Sequence, residues 1–98
     1  MICHVVLIRL KDGLRESDGA RLLERARELL GPIPGVRNLR VGTGLGKKDE
    51  RGHPYALVME FDDEKALEAY QVHPRHQEFV KDVVSPLQED KKVFDYRC

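Results

Sequence analysis

Residues 2–10 read ICHVVLIRL and form the clearest β-strand pattern in the chain, because β-branched side chains dominate and the turn-like Lys11-Asp12-Gly13 follows directly. One face carries Ile2, His4, Val6, Ile8 and Leu10, and the other carries Cys3, Val5, Leu7 and Arg9. Antiparallel sheets with one wet face alternate apolar and polar side chains, and Val5 and Leu7 break that rule. Both faces of this strand are therefore expected to be covered.

Helical periodicity follows the strand in two places. A helix capped by Ser17 or Asp18 is expected to run through Leu30. A second helix is predicted after Asp63, with a break at His73-Pro74. Proline disfavours helical geometry at the residue before it but suits the first position of a new helix. The second helix is therefore expected in two pieces.

Three further strands are predicted at residues 36–42, 55–61 and 91–97. The polar loop 42–54, in which His53 is expected to be solvated, joins the first two of them. The resulting order β-α-β-β-α-β is typical of ferredoxin-like folds of the α+β class. The sequence therefore predicts a four-stranded antiparallel sheet with both helices on one face.

Length and composition allow a single domain, residues 1–98. Seventeen Lys and Arg residues balance seventeen Asp and Glu residues, which argues against a nucleic-acid partner bound by charge. The longest apolar run, Val5–Ile8, is too short to cross a membrane, and the N-terminus has no signal-peptide pattern. Cys3 and Cys98 make no disulfide framework, so we expect reduced thiols and a cytoplasmic location, although the strand order brings both cysteines to neighbouring strand ends.

The second face of the sheet has no cover from its own chain. Val5, Leu7, Ala56 and Val58 fall on it, and burying a Val or Leu side chain contributes roughly 1.5–3 kcal/mol. We therefore expect a homodimer in which a second copy, related by two-fold symmetry, completes a two-sheet barrel. The alternative is a sheet that tolerates exposed apolar residues. It is favoured by polar residues at positions that could share this face, namely Arg9, Asn38, Arg40, Glu60 and Asp95.

A set of segments in fixed order carries a family resemblance. The segments are His4 within ICHVVLIRL, Ile33-Pro34-Gly35-Val36, ALVMEF with its following acidic residues, AYQVHPRH at 69–76, and Val93-Phe94-Asp95-Tyr96. Over essentially the whole chain they resemble the stress-responsive dimeric α/β-barrel domains, the Dabb family. The resemblance implies a homodimeric α/β barrel with a cleft between helices and sheet in each subunit. It also implies that a backbone-ligated magnesium ion can bind near residues 30–36, and no other cofactor is expected.

Plant polyketide cyclases of this family catalyse an intramolecular aldol condensation, and the resemblance implies where their catalytic residues fall here. Their helix tyrosine and the histidine six residues later match Tyr70 and His76, and their first-strand histidine matches His4. They also carry a tyrosine in the first helix and a histidine early in the third strand. This chain has Ala26 and Tyr55 at those positions, so the same substrate is not expected.

The matched residues also support an acid/base hypothesis on chemical grounds. Histidine exchanges protons near pH 7 and a phenol can donate a hydrogen bond to an oxyanion. His76 is therefore the candidate base, Tyr70 the candidate donor and His4 an assisting group. The break at Pro74 is needed, since six residues along a straight helix would separate Tyr70 and His76 onto different faces. The cleft is further expected to be lined by His73, Tyr55, Val6 and Phe79.

Structural roles are the alternatives for these residues. Tyr70 also fits the apolar stripe of its helix, His4 also fits a hydrogen-bonded core histidine, and His73 also fits a helix cap. The spacing of His73 and His76 does not predict a metal site, because Pro74 interrupts the helix between them. Two hypotheses follow. The protein is a binder or enzyme for an apolar, carbonyl-containing small molecule with polyketide cyclase-like chemistry, or it is a non-catalytic dimer that binds a ligand or protein and whose histidines are structural.

Overall fold

The computed structural model describes residues 1–45 and 52–98. Its elements are β1 (Ile2–Leu10), α1 (Glu16–Leu30), β2 (Arg37–Thr43), β3 (Tyr55–Phe61), α2 (Glu64–Gln71), α3 (Pro74–Glu78), a π-helical segment (Phe79–Val84), α4 (Ser85–Leu87) and β4 (Gln88–Arg97). The predicted order of strands and helices is confirmed. Residues 46–51 of the predicted polar loop lie outside the described residues.

The four strands form one antiparallel sheet in the order β2-β3-β1-β4. The central strand β1 places Val6 opposite Leu57 of β3 and opposite Val93 of β4. Residues paired in this way share a face of the sheet. The helices cover the face that carries Val6, which we call the inner face, and we call the opposite one the outer face. The predicted α+β, ferredoxin-like arrangement is confirmed.

The hydrophobic core lies between the inner face and the helices. Fully buried side chains from α1 meet fully buried side chains from β3 there; they are Leu22, Ala26, Leu30, Leu57, Met59 and Phe61. The α2 helix begins at the predicted cap, since the Asp63 side chain accepts a hydrogen bond from the Ala66 backbone N–H at 2.9 Å. This cap sets the start of the helix that carries Tyr70.

Two predicted boundaries are wrong by a few residues. Helix α1 begins at Glu16, with Arg15 and not Ser17 or Asp18 as its N-cap. Asp18 instead sits at the third helical position, where its carboxylate accepts a hydrogen bond from the Arg15 backbone N–H at 2.9 Å, which is one half of a capping box. Strand β4 begins at Gln88 and not at residue 91, because a register shift between Arg9 and Leu10 lets β1 pair with the extra residues.

The outer face is apolar in its middle and on β4. Val5 lies opposite Val58 of β3 and Phe94 of β4, and Cys3 lies opposite Tyr96. The Phe94 side chain is 66% exposed and the Tyr96 side chain 44% exposed, and their ring centroids are 5.8 Å apart. In the single chain this face therefore leaves large apolar side chains in contact with water.

The polar residues expected on the outer face are only partly found there. Glu60 lies opposite Cys3 and accepts hydrogen bonds from Asn38 and Arg40, at 2.9 and 3.2 Å. Asp95 does not share that face. It lies opposite His4 and therefore on the inner face, and this part of the expectation is wrong because strand β4 pairs in a register that could not be read from its own alternation.

His53 and the two cysteines are the remaining side chains for which the sequence made a prediction. His53 was expected to be solvated, but its Nε2 lies 2.8 Å from Asp90 Oδ2 and most of its side chain is buried. Both cysteines are free thiols, Cys3 buried and Cys98 exposed.

None of the helices in the described part of the chain is long and apolar enough to span a bilayer.

Candidate functional site

The break between α2 and α3 brings two chemically active side chains together. Helix α2 ends at Gln71, and His73 then adopts an extended conformation with Pro74 starting α3. The His73 ring nitrogen accepts a hydrogen bond from the Arg75 backbone N–H at 3.1 Å, which caps the new helix. This turn redirects the chain, so that His76 returns to the side of the molecule occupied by Tyr70.

Tyr70 and His76 are in direct contact across this break. Their ring centroids are 4.6 Å apart and their planes are inclined by 56°. His76 Nδ1 lies 2.9 Å from the Gln71 carbonyl oxygen. A carbonyl oxygen only accepts hydrogen bonds, so Nδ1 carries the proton and donates it, and Nε2 is the unprotonated nitrogen of the neutral ring. The hydrogen bond therefore selects the tautomer in which Nε2 is available as a base.

Burial sets the protonation states of this pair in opposite directions. Loss of water around His76 lowers its pKa below the ordinary value of 6.5, and the nearby charges of His4 and Lys91 lower it further, while the hydrogen bond to the Gln71 carbonyl opposes them. Burial raises the pKa of Tyr70 well above its ordinary range, because the phenolate would lose its hydration. At neutral pH the site therefore holds a neutral imidazole beside a protonated phenol.

His4 completes the group from the sheet side. It is only 4% exposed, and its ring lies edge-on to Tyr70 at a centroid distance of 5.8 Å and to Phe61 at 6.2 Å. His4 Nδ1 is hydrogen-bonded to Asp95 Oδ1, from the neighbouring strand β4. Because a carboxylate accepts hydrogen bonds, the Nδ1 atom of His4 carries a proton and donates it. Tyr70 thus lies between two histidines whose Nδ1 atoms are both engaged.

These side chains open onto a cavity of about 130 Å³ between the sheet and the broken helix. Its polar lining residues are His4, Tyr70, Gln71, His76 and Lys91. The rest of the wall is aliphatic or aromatic, and comprises Val6, Ile8, Leu57, Phe79, Val80, Val84 and Val93. Three of these come from the π-helical segment, where the Ser85 N–H bonds to the carbonyl of Val80, five residues earlier; such wide turns occur often at functional sites. A mostly apolar cavity with a few convergent polar groups is the common form of a small-molecule site.

The structure brings most, but not all, of the predicted site residues together. Val6 and Phe79 line the cavity as expected. His73 does not, because its ring is engaged in capping α3. Tyr55 also lies elsewhere: its hydroxyl fits over Gly19 of α1, where a β-carbon would come within 2.1 Å of it. His73 and Tyr55 therefore lie outside the cavity that Tyr70 and His76 line, and their roles in ligand binding stay predictions.

Across residues 1–45 and 52–98, no three or more His, Cys, Asp or Glu side chains are grouped so as to hold a metal ion. The segment 30–36 has no side-chain oxygen, and the carbonyls of Leu30 and Ile33 already accept backbone hydrogen bonds in its turns. Magnesium in proteins usually takes one or two carboxylates with several waters, so an ion at these residues would depend on backbone carbonyls alone. Ion binding near 30–36 stays a prediction, and no chemical step is assigned to it.

Comparison with known proteins agrees with this architecture. A family model described as the stress responsive A/B barrel domain, Dabb, matches residues 2–98. The chain belongs to the Dabb family. The resemblance expected from the sequence is thereby confirmed over nearly the full length.

Several solved structures are similar to this chain. A Dabb family protein with a ferredoxin-like fold from Mesorhizobium loti is 30% identical, with a TM-score of 0.86 over 99% of this chain and 95% of that chain. A dimeric ferredoxin-like protein of unknown function from Thermobifida fusca is 25% identical, with a TM-score of 0.86 over 99% and 90% of the two chains. The hydroxynitrile lyase from Passiflora edulis is 23% identical, with a TM-score of 0.82 over 97% and 90%, and at that identity the similarity concerns the fold alone. No curated protein matches the chain.

Three groups at this Dabb cavity were missed from the sequence alone. Asp95 holds His4, the Gln71 carbonyl holds His76, and Lys91 lines the cavity. On β4, Lys91 and Asp95 point to one face of the sheet, and Lys92 and Phe94 point to the other. Only the pairing register with β1 decides which of these two faces is the inner one. The Gln71 carbonyl has no side-chain signature at all.

Proposed function

We propose that this Dabb protein binds a small, largely apolar, carbonyl-containing molecule in the cavity and catalyses its enolisation or an aldol-type reaction. Tyr70 and His76 act as the acid/base pair, and His4 assists. The observation that carries the proposal is the position of Tyr70 between the rings of His4 and His76 on an otherwise apolar wall. The plant polyketide cyclases of this family support the same reaction class, because Tyr70 and His76 match the tyrosine and the histidine of their catalytic helix.

The base is His76 Nε2. With Nδ1–H donated to the Gln71 carbonyl, the Nε2 lone pair removes a proton from the carbon next to the ligand's carbonyl group. The lowered pKa of His76 keeps the ring neutral at pH 7, so the base is present in its active form. The electron pair of the broken C–H bond moves into the enolate.

The Tyr70 hydroxyl stabilises the charge that forms on the carbonyl oxygen. It is protonated at neutral pH, as an ordinary tyrosine is, and burial raises its pKa further. A hydrogen bond in a site with little water stabilises a developing oxyanion more than one in bulk water. In an aldol reaction the enolate carbon then bonds to a second carbonyl carbon. The oxygen of that carbonyl takes up the proton held on His76, which restores the neutral ring.

His4 is the supporting group of the site. Its hydrogen bond to Asp95 fixes the orientation of the ring beside Tyr70. An aldol or lyase-type reaction is further supported by the hydroxynitrile lyase that shares this fold. The substrate of this chain differs from that of the plant cyclases, since Ala26 and Tyr55 replace two of their polar residues.

Exchange of α-protons in D₂O tests the proposal directly. Cyclohexanone is a suitable probe, because enolisation alone replaces its α-protons by deuterium and NMR follows the loss of signal. We expect the wild-type protein to accelerate exchange, and Tyr70→Phe or His76→Gln to reduce the catalysed rate by about a hundredfold or more, the usual contribution of general acid–base catalysis. His53→Gln is the matched control, since His53 binds Asp90 and does not line the cavity.

The outcomes separate the two hypotheses for the protein. Exchange that is no faster than with free imidazole at the same concentration, or that is unchanged in both Tyr70→Phe and His76→Gln, would exclude catalysis. Cyclohexanone that still shifts the NMR signals of cavity residues in that case would favour the alternative, a non-catalytic binding protein with structural histidines. Far-UV circular dichroism checks that each variant is folded.

We also propose that the protein is a homodimer in the cytoplasm, with the outer faces of two sheets packed together. The exposed aromatic pair of Phe94 and Tyr96 beside Val5 supports this, and so does the dimeric relative from Thermobifida fusca. The two free thiols are compatible with the reducing cytoplasm. The dimer is tested in the first prediction of the Discussion.

A further inference from the structure

Among the residues that the structure describes, Lys91 is the one permanently charged residue on the cavity wall. The other residues that line the cavity are apolar, or are His, Tyr and Gln side chains. Lys91 is solvent-exposed and yet contributes to the wall. A lysine does this when its aliphatic stem lies along apolar surface while its ammonium group stays in water. The charge therefore belongs at the mouth of the cavity.

The register of β4 places Lys91 away from the His4–Asp95 pair. Lys91 lies opposite Ile8 and Asp95 lies opposite His4, all on the inner face. Four residues along a strand correspond to about 13 Å. The cavity is lined by side chains from both positions, so a ligand in it lies between the histidines and Lys91.

The charge of Lys91 is available to a ligand. None of the salt bridges formed within the described ranges involves Lys91. It nevertheless acts on the site, because its positive charge is one of the causes that lower the pKa of His76. An uncompensated cation at the mouth of a small apolar cavity attracts an anion, and ion pairs with a carboxylate are the common case.

The size of the cavity limits that anion. A volume of about 130 Å³ is close to that of a cavity known to hold a single benzene molecule, ~150 Å³. It has room for one ring or a short branched chain, whereas a long polyketide chain would extend into solvent. Tyr70 and His76 at one end of the cavity favour a carbonyl group, and Lys91 at the other end favours a negative charge.

We propose that the natural ligand is a small oxo acid, whose carbonyl group lies against Tyr70 and His76 in the cavity and whose carboxylate pairs with Lys91. This inference rests on the proposed function, because it takes the same cavity and the same carbonyl position. It adds Lys91 as the residue that determines specificity. The preference for an anionic ligand over a neutral one of equal shape is its measurable consequence.

Two probes of matched shape test the charge alone. They are 4-oxocyclohexanecarboxylate and its neutral carboxamide, with cyclohexanone as the parent ketone for the proposed function. Dissociation constants at pH 7 come from NMR titration of the full-length protein. We expect the carboxylate to bind about fivefold more tightly than the amide, which is the effect of a partly exposed ion pair, and we expect the preference to shrink as salt is added.

Lys91→Met keeps the length of the side chain and removes its charge. It should abolish the preference, so that the carboxylate and the amide bind equally well. Lys65→Met is the matched control, because Lys65 is exposed on α2 and does not line this cavity; it should behave as wild type. The pKa of His76 gives a second readout, and it should rise when the carboxylate binds but not when the amide does.

Each failure has a distinct meaning. If the wild-type protein binds the amide as tightly as the carboxylate, or if Lys91→Met keeps the preference, the assignment of Lys91 is wrong while the exchange of cyclohexanone still supports the proposed function. If neither probe binds and cyclohexanone is not exchanged, the proposed function is wrong and the ligand class is rejected with it.

Discussion

Phe94→Lys is expected to convert a dimer into a folded monomer. Phe94 lies on the outer face opposite Val5, and its side chain is 66% exposed in the single chain. The substitution places an ammonium group in the middle of the surface that a second sheet would cover. It leaves the inner face untouched, since Phe94 alternates with the inward-facing Val93 and Asp95.

The size of the effect follows from the area that Phe94 contributes. Burying a large apolar side chain contributes roughly 1.5–3 kcal/mol, and a two-fold interface contains this residue twice. The dimer therefore loses about 3–6 kcal/mol, which corresponds to a dissociation constant raised on the order of 10²–10⁴-fold. A buried ammonium group without a partner increases the loss further.

Sedimentation equilibrium at micromolar concentration measures this change. We expect the wild-type protein at twice the chain mass of 11.3 kDa and Phe94→Lys at 11.3 kDa, with unchanged far-UV circular dichroism. Val72→Lys is the matched control, because Val72 is 70% exposed at the end of α2 and not on the outer face. A wild-type protein that sediments at 11.3 kDa, or a Phe94→Lys dimer as tight as wild type, would refute the reasoning.

Three further predictions concern protonation, tautomer and capping. The pKa of His76 should lie below 6.5 by NMR titration. As the pH falls, the unfolded chain therefore takes up a proton on this residue before the folded protein does. The free energy of unfolding should then decline as the pH falls below 6.5, and His76→Gln should lessen that decline. Asp95→Asn should change the ring ¹⁵N shifts of His4 and slow cyclohexanone exchange on the order of tenfold, because the amide no longer selects the Nδ1–H tautomer; an unchanged spectrum would count against the pair. Asp63→Ala should lower the free energy of unfolding in urea by about 0.5–2 kcal/mol through loss of the cap to Ala66.

Local chemistry made much of this fold predictable. The β-branched run of β1 is confirmed at its predicted bounds, Ile2–Leu10. The break at His73-Pro74 is confirmed because it depends only on neighbouring residues: proline disfavours helical geometry before it and favours a helix start. The α1 start was less predictable, since Asp18 serves equally as an N-cap or as the third residue of a capping box.

Long-range pairing explains what could not be predicted at the site. The partner of His4 is 91 residues away, and a one-residue slip of β4 would have turned Asp95 outward and Phe94 inward. No alternation within residues 91–97 decides between these registers, because lysines, aromatic residues and an aspartate follow one another there. The same ambiguity concealed Lys91. The position of Tyr55 could not be predicted for a different reason. Its hydroxyl group lies over Gly19 of helix α1, and the sequence near Tyr55 does not show that this space is open.

Strand β4 links the proposed dimer to the proposed chemistry. It is an edge strand, hydrogen-bonded to β1 on one side only, and edge strands are held less firmly than central ones. Its inward residues Asp95 and Lys91 serve the cavity, and its outward residue Phe94 serves the second copy. Packing of the outer face therefore stabilises the strand that orients His4. Phe94→Lys should then slow cyclohexanone exchange although no cavity residue has changed, whereas full exchange activity in the monomer would show that β1 alone holds the site in place.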